Sequence, residues 1–196
     1  MPDNGVWLIA GLGNPGATYR NTRHNLGFRI LEKLAAEYAI PLDKTKFQAR
    51  YGRGRIEGVE AILVQPLAYM NNSGPPVRNL ADYHKIPGKD MLVIHDDLDL
   101  SFGRLKIKEK GGHGGHNGLK SLMSAFGGGD FVRLRIGIGR PLDERSVTDH
   151  VLSRHTTEES EVLNQILDRA QKAVVVILTQ GPRVGMNRFN DRQFLI

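Results

Sequence analysis

Cysteine is absent from this 196-residue chain. Its absence removes disulfide staples, Cys-ligated zinc, iron–sulfur clusters and a thiol nucleophile, and it fits a reducing compartment. Long apolar runs are also missing. The longest, AVVVILT at 173–179 between Lys172 and Gln180, falls well short of the roughly 18 residues that span a bilayer. The N-terminal stretch MPDNGVWLIAGLGNPG has no basic region before its short apolar segment, so it does not read as a signal peptide. A cytoplasmic protein with no membrane partner is expected. Internal repeats, low-complexity tracts and Pro/Ser linkers are absent as well, which makes residues 1–196 one expected domain, long enough to bury a proper core. There is no G-x-S-x-G elbow either, so serine-based acyl transfer lacks its usual nucleophile, and Ser73 has no local context that would activate it.

What the chain does have is an excess of 27 Lys and Arg over 21 Asp and Glu, a formal net charge of +6. Where such charge clusters it favours a polyanionic partner. In RLKIKEK, Lys106, Lys108 and Lys110 share one face of a strand while Leu105 and Ile107 take the other, and Arg133 and Arg135 do the same in RLR. Two basic stripes suit phosphate contact, or equally a solvated sheet face.

VWLIA at 6–10 reads as a buried strand. NLGFRILEKLAAEYAI at 25–40 reads as an amphipathic helix, with Leu26, Ile30, Leu34 and Tyr38 at i+4 spacing and Pro41 as its stop. Residues 49–66 form two antiparallel strands joined through Glu57-Gly58. A helix follows at 77–84, then a strand at 91–95 that runs into an acidic turn. GRLKIKEK and FVRLRIGIG alternate with period 2 as half-buried strands do. A helix from about 117 and a closing helix at 159–180 complete the chain. Strands alternating with helices, plus a hairpin, predict an α/β fold with a mixed sheet flanked by helices.

GLGNPG at 11–16 matches G-x-G-x-x-G after a strand, the dinucleotide fingerprint. That motif works only when its glycines open a helix whose N-terminus holds a pyrophosphate. Here ATYRNTRHN intervenes, the helix waits until about residue 25, and the next strand is the basic RYGRGRI. No dinucleotide is expected, and the glycines serve tight turns and close approach instead.

Four stretches at or beyond strand ends carry unusual polar residues: 11–25, 69–74, 95–99 and 111–118. They offer His24, His95, His113, His116, Asp96, Asp97, Asp99, Asn14, Asn71, Asn72 and Asn117. A His–Asp pair activates water, and asparagine amides stabilise an oxyanion or align an amide substrate. A rival reading makes His113 and His116 zinc ligands with Asp96 or Asp97, although H-G-G-H in a glycine loop lacks helical i, i+4 spacing. Blander readings remain for single residues: Asp97 and Asp99 as solvated turn residues, Asn117 as a helix N-cap, His24 as structural.

Taken in order, GLGNPG at 11–16, Tyr19, TRHN at 22–25, MN-x-SG at 70–74, HDDLDL at 95–100, GGHGGHNGLKS at 111–121, RLRIGIGRP at 133–141 and MNRFN at 186–190 span nearly the whole chain. Together they closely resemble the bacterial-type peptidyl-tRNA hydrolases. The resemblance implies hydrolysis of the ester between a peptide and the 3′ end of tRNA by a monomeric α/β sandwich with a mixed, twisted sheet, using neither cofactor nor metal. It implies His24 as the base supported by Asp96, with Asn14, Asn71 and Asn117 around the scissile ester and peptide. Tyr19 matches an aromatic at the tRNA end, His116 lies in a gate-like loop, and Met70 packs against the pocket. Lys108 and Arg135 match positions that clamp a tRNA phosphate, with Arg53, Arg55 and Lys120 as weaker candidates. Recognition of the acceptor end and 3′ CCA follows. The chain departs from the pattern at His155, where relatives carry an apolar or aromatic residue, while Asn72 occupies a variable place.

Overall fold

Strand β1 (Val6–Gly11) is apolar from Trp7 to Ala10 because both of its faces are covered. Trp7 and Ile9 belong to one apolar cluster, Leu8 and Ala10 to the other. The structure, a computed structural model, describes residues 2, 5–141 and 146–190. The other strands among these are β2 (Lys44–Lys46), β3 (Ala49–Ile56), β4 (Val59–Pro66), β5 (Met91–Asp97), β6 (Leu105–Lys108) and β7 (Val132–Gly137). They form a seven-stranded sheet in the order β2-β3-β4-β1-β5-β7-β6. The four central strands, β4, β1, β5 and β7, run parallel, and the outer pairings are antiparallel. This is the mixed α/β sheet expected.

Helices cover both faces. α1 (Leu26–Glu37) and α5 (Thr157–Gln180) bury Ile30, Leu34, Ile166 and Val174 against Ile9, Ile94 and Leu134. α2 (Gly74–Tyr83) and α3 (Asn117–Phe126) pack Val77, Leu80, Leu119 and Leu122 against Leu8, Val64 and Val93. α4 (Val147–Leu152) and α6 (Pro182–Phe189) complete the described helices. None of the described helices is long and apolar enough to cross a membrane.

The 57–58 hairpin is as the sequence predicts. Glu57 and Gly58 both have positive φ, 47° and 80°, between the paired residues Ile56 and Val59, the backbone of a two-residue type I′ turn. Other boundaries move. α2 starts at Gly74 rather than 77, because Pro75 and Pro76 fall in its first turn, where missing N–H groups cost no helical bond. β5 extends to Asp97. α5 starts two residues early, set by a capping box in which Thr156 and Glu159 exchange side-chain and backbone bonds.

The glycines of the opening motif answer to packing. A Cβ on Gly11 would overlap the carbonyl of Gly27, and one on Gly13 would enter the Phe28 ring. The reverse contact is tighter: a Cβ on Gly27 would run into the backbone of Ile94 and Leu12. Helix α1 thus lies directly on the ends of β1 and β5, which brings the preceding residue segment over Asp96. Gly27→Ala is expected to destabilise the fold by about 3 kcal/mol or more, since backbone on both sides cannot yield. Chemical denaturation of the two proteins measures it.

Candidate active site

Three of the four polar stretches lie at the C-terminal ends of parallel strands: 12–25 after β1, 67–73 after β4, and 96–99 at the end of β5. The fourth, the glycine loop after β6, returns to the same edge and delivers His116. The edge of an open α/β sheet is where such groups converge.

His24 sits in a 3-10 turn (Arg23–Asn25) just ahead of α1. Its neighbour Arg23 is buried and pins this turn from below. Arg23 donates to both carboxylate oxygens of Glu159, at 2.8 and 2.6 Å, and through Nε to Ser153 Oγ at 3.2 Å. On the other side, Asn25 Nδ2 donates to the Asn14 carbonyl and Asn25 Oδ1 accepts from the Asn14 amide, both at 2.9 Å. The turn is therefore tied to both its strand and the last long helix.

The hydrogen bonds fix the protonation pattern of the site. His116 Nδ1 accepts from the backbone N–H groups of Gly118 and Leu119, at 3.1 and 3.3 Å, so its proton resides on Nε2, which donates to Asp96 Oδ1 at 3.1 Å. His24 Nδ1 lies 2.9 Å from both Asp96 oxygens and donates to them. The lone pair of His24 then resides on Nε2. Asp96 is buried. Burial alone would raise its pKa, but the pull and hydrogen bonds of His24 and His116 outweigh it and hold the carboxyl well below the usual carboxylate range. Burial likewise depresses His24, yet the Asp96 charge and hydrogen bond win and raise it above its ordinary 6.5.

Asn14 is nearly buried, and its amide is oriented. Its Oδ1 accepts from the Met70 N–H at 2.7 Å, which leaves the Nδ2 donors to the cleft. His24, Asn14, Met70, Asn71, Asp96, His116 and Asn117 all line one cleft of about 380 Å³. Asn71 and Asn117 stand exposed at its rim. Tyr69, Val147 and Leu152, all exposed, form the apolar part of the rim. Tyr19 packs edge-on against Tyr69, ring centroids 6.3 Å apart, beside the cleft rather than among its lining residues.

Several sequence expectations need correction. The N-cap of α3 is His116, not Asn117, because the imidazole accepts the two orphan N–H groups and leaves the amide outside. The zinc candidate His113 is exposed and does not reach Asp96; the groups within 4.8 Å of one another are His24, Asp96 and His116. These do not fit a divalent ion as they stand. With Nδ1 engaged by two N–H donors, His116 could ligate through Nε2 only as an imidazolate. His95 is fully buried and donates through Nδ1 to the Asp96 carbonyl at 2.6 Å, and burial first of all pushes its pKa well down. The Ser73 hydroxyl is turned inward onto the Met70 carbonyl at 2.9 Å.

The basic stripes also separate. Arg133 is buried, its guanidinium donating to the carbonyls of Gly111, Gly112 and Gly129, so it anchors the glycine loop instead of facing solvent. Arg135 donates through Nε to Asp97 Oδ2 at 2.6 Å, and Lys108 is exposed. Arg53 and Arg55 both meet Glu60, at 2.6 and 3.5 Å, on the far edge of the sheet. Asp99 is not merely solvated but pairs with Arg140 at 2.6 Å. His155 stands in for an apolar residue: its side chain is 2% exposed against the Phe102 ring, and burial with nearby Arg23 pushes its pKa down to about 4.

Known proteins resemble this chain along nearly its whole length. The profile of a family described as Peptidyl-tRNA hydrolase matches residues 8–195. Peptidyl-tRNA hydrolase of Bacillus licheniformis is 48% identical over 185 residues, 94% of this chain and 98% of the relative. That of Bacillus subtilis is 46% identical with the same coverage. Among solved structures, a peptidyl-tRNA hydrolase in complex with N-propanol superposes with a TM-score of 0.89 at 40% identity, over 95% of each chain. Peptidyl-tRNA hydrolase from Acinetobacter baumannii gives 0.88 at 41%, again over 95% of each.

Proposed function

Because the chain belongs to the peptidyl-tRNA hydrolase family and hydrolyses peptidyl-tRNA, we propose that His24 is the base that activates the attacking water. The observation that carries this is the pair of imidazoles on Asp96, which fixes the His24 lone pair on Nε2. Water gives its proton to Nε2 as it adds to the ester carbonyl. Asp96 stabilises the imidazolium, which then returns the proton to the departing 3′ oxygen of the tRNA. Asn14 Nδ2, free to donate because its oxygen is held by Met70, serves the carbonyl oxygen as charge develops on it. Asn71 and Asn117 hydrogen-bond the peptide amide. An ammonium in that place would leave their acceptors and donors mismatched, so a free aminoacyl-tRNA is rejected. Tyr19, Met70 and the Tyr69 ring bound the site, and His116 lines it while locking Asp96. No cofactor or metal is called for.

The enzyme acts as a cytoplasmic monomer on the acceptor end and 3′ CCA of its substrate. Lys108, and Arg135 through the guanidinium N–H groups not held by Asp97, bind the RNA backbone. Lys108→Ala is expected to raise KM by about threefold to tenfold at low salt, with kcat little changed and a smaller salt slope; steady-state kinetics at graded KCl check it. The function itself is tested by presenting the same tRNA with an N-acylated and with a free-amine aminoacyl group, with and without EDTA. Cleavage of the N-acylated form alone, insensitive to EDTA, is expected; cleavage of both equally would contradict the role given to the asparagines.

A further inference from the structure

A second cavity, about 370 Å³, adjoins the catalytic cleft, and Asn14 lines both. Its charged lining is Arg20, Arg29, Arg50 and Glu32. The one carboxylate is already engaged. Glu32 Oε1 accepts from Arg50 and from Gln65 Nε2, each at 3.3 Å, and Arg50 Nε also donates to Gln65 Oε1 at 2.9 Å. The side chains of Arg20 and Arg29 make no hydrogen bond or ion pair with a described residue. Arg29 is half-buried in the first turn of α1. Burial lowers its pKa, Glu32 pulls it back, and the nearby Arg20 lowers it again. A half-buried guanidinium, an exposed one beside it and Arg50, against a single carboxylate that Arg50 and Gln65 already share, leave the cavity with a surplus of positive charge, and its fitting ligand is a small oxyanion.

The position of the cavity says which oxyanion. Lys108 and Arg135 lie on β6 and β7 at one end of the sheet. Arg50 and Gln65 lie on β3 and β4 at the other, and the residues of the reacting centre come from β1 and β5 between them. On the roles proposed above, the RNA backbone is held at the first end, and Asn14, which lines both cavities, connects the reacting centre to the second. We infer that this cavity receives an acidic side chain of the peptide, at the residue preceding the one esterified to tRNA, with Arg20 and Arg29 as its specificity-determining contacts. The inference rests on the proposed roles of Asn14 and of the Lys108 edge.

The test uses the full chain and two substrates on one tRNA, acetyl-Glu-Phe-tRNA and acetyl-Gln-Phe-tRNA, nearly isosteric and differing by one charge. For the unmodified protein, kcat/KM is expected to be about fivefold higher for the Glu substrate, the scale of one partly exposed charge-assisted contact. In the Arg20→Gln/Arg29→Gln variant the ratio falls to about one, and in Arg20→Lys/Arg29→Lys part of it returns. Should Arg29→Gln lose soluble protein, Arg20→Gln alone, at an exposed position, carries the same comparison. Equal rates for the two substrates in the unmodified protein would overturn the subsite alone. So would a double variant that slows both substrates by the same factor and flattens the salt dependence, since the arginines would then face phosphates common to both. Failure to cleave either substrate would remove the catalytic assignment and this subsite with it.

Discussion

Asp96→Asn is expected to lower kcat/KM by about 10³–10⁴, although the side chain keeps its size and the fold its packing. The loss follows from hydrogen-bond counting. Asp96 accepts from two imidazole N–H groups, and an asparagine offers one acceptor and one donor. His116 cannot turn its tautomer, because its Nδ1 is held by the N–H groups of Gly118 and Leu119. The amide oxygen therefore serves His116, and the amide NH₂ faces His24 Nδ1, which had both carboxylate oxygens within 2.9 Å. His24 must then move its proton to Nε2, and the lone pair leaves the cleft. The variant also loses the charge that raises the His24 pKa, while burial still lowers it, so the inflection in any residual activity shifts downward. Steady-state kinetics across pH, with a thermal melt to show the fold intact, test both parts.

His24→Ala removes the base itself and is expected to cost about 10³-fold or more in kcat, with KM for N-acyl-aminoacyl-tRNA changed little. The Asn14, Asn71 and Asn117 amides remain, so some rate above the uncatalysed hydrolysis survives. Adding free imidazole should restore part of that rate, because the substitution leaves a ring-sized space beside Asp96. A purely structural His24 would instead give a protein with a lowered melting temperature, weakened tRNA binding and no response to imidazole.

Much of the site was legible because its residues occur in short runs next to strand ends, where glycine, asparagine and histidine are conspicuous against apolar strands. The Asn14, His24 and Asp96 positions could be singled out in that way, and the hairpin at Glu57-Gly58 and the mixed sheet followed from period and turn chemistry. What could not be read were partnerships across long separations. Arg23 looks like one more surface cation until it is found buried on Glu159, 136 residues away. Arg133 shares the alternation of a solvated stripe, yet the glycine loop folds over it. Asn117 stands where a cap belongs, but the His before it does the capping, a choice made by loop geometry rather than residue preference. The elements missed were the short ones, β2, α4 and α6, with too few turns or pairs to establish a period. With α4 went the Val147 and Leu152 rim. Tyr69 carried a readable signal, an aromatic in a polar loop beside the asparagines.

The most direct test of the central claim, that a neutral His24 held by Asp96 activates the water, is the pH dependence of kcat/KM on N-acyl-aminoacyl-tRNA between pH 5 and 9, corrected for spontaneous hydrolysis. Since the base works only when unprotonated and Asp96 raises its pKa, the rate should climb with a single ionisation above 6.5, the ordinary histidine value, and then level off. A flat profile between pH 5 and 8, or an inflection that Asp96→Asn leaves in place, would contradict it.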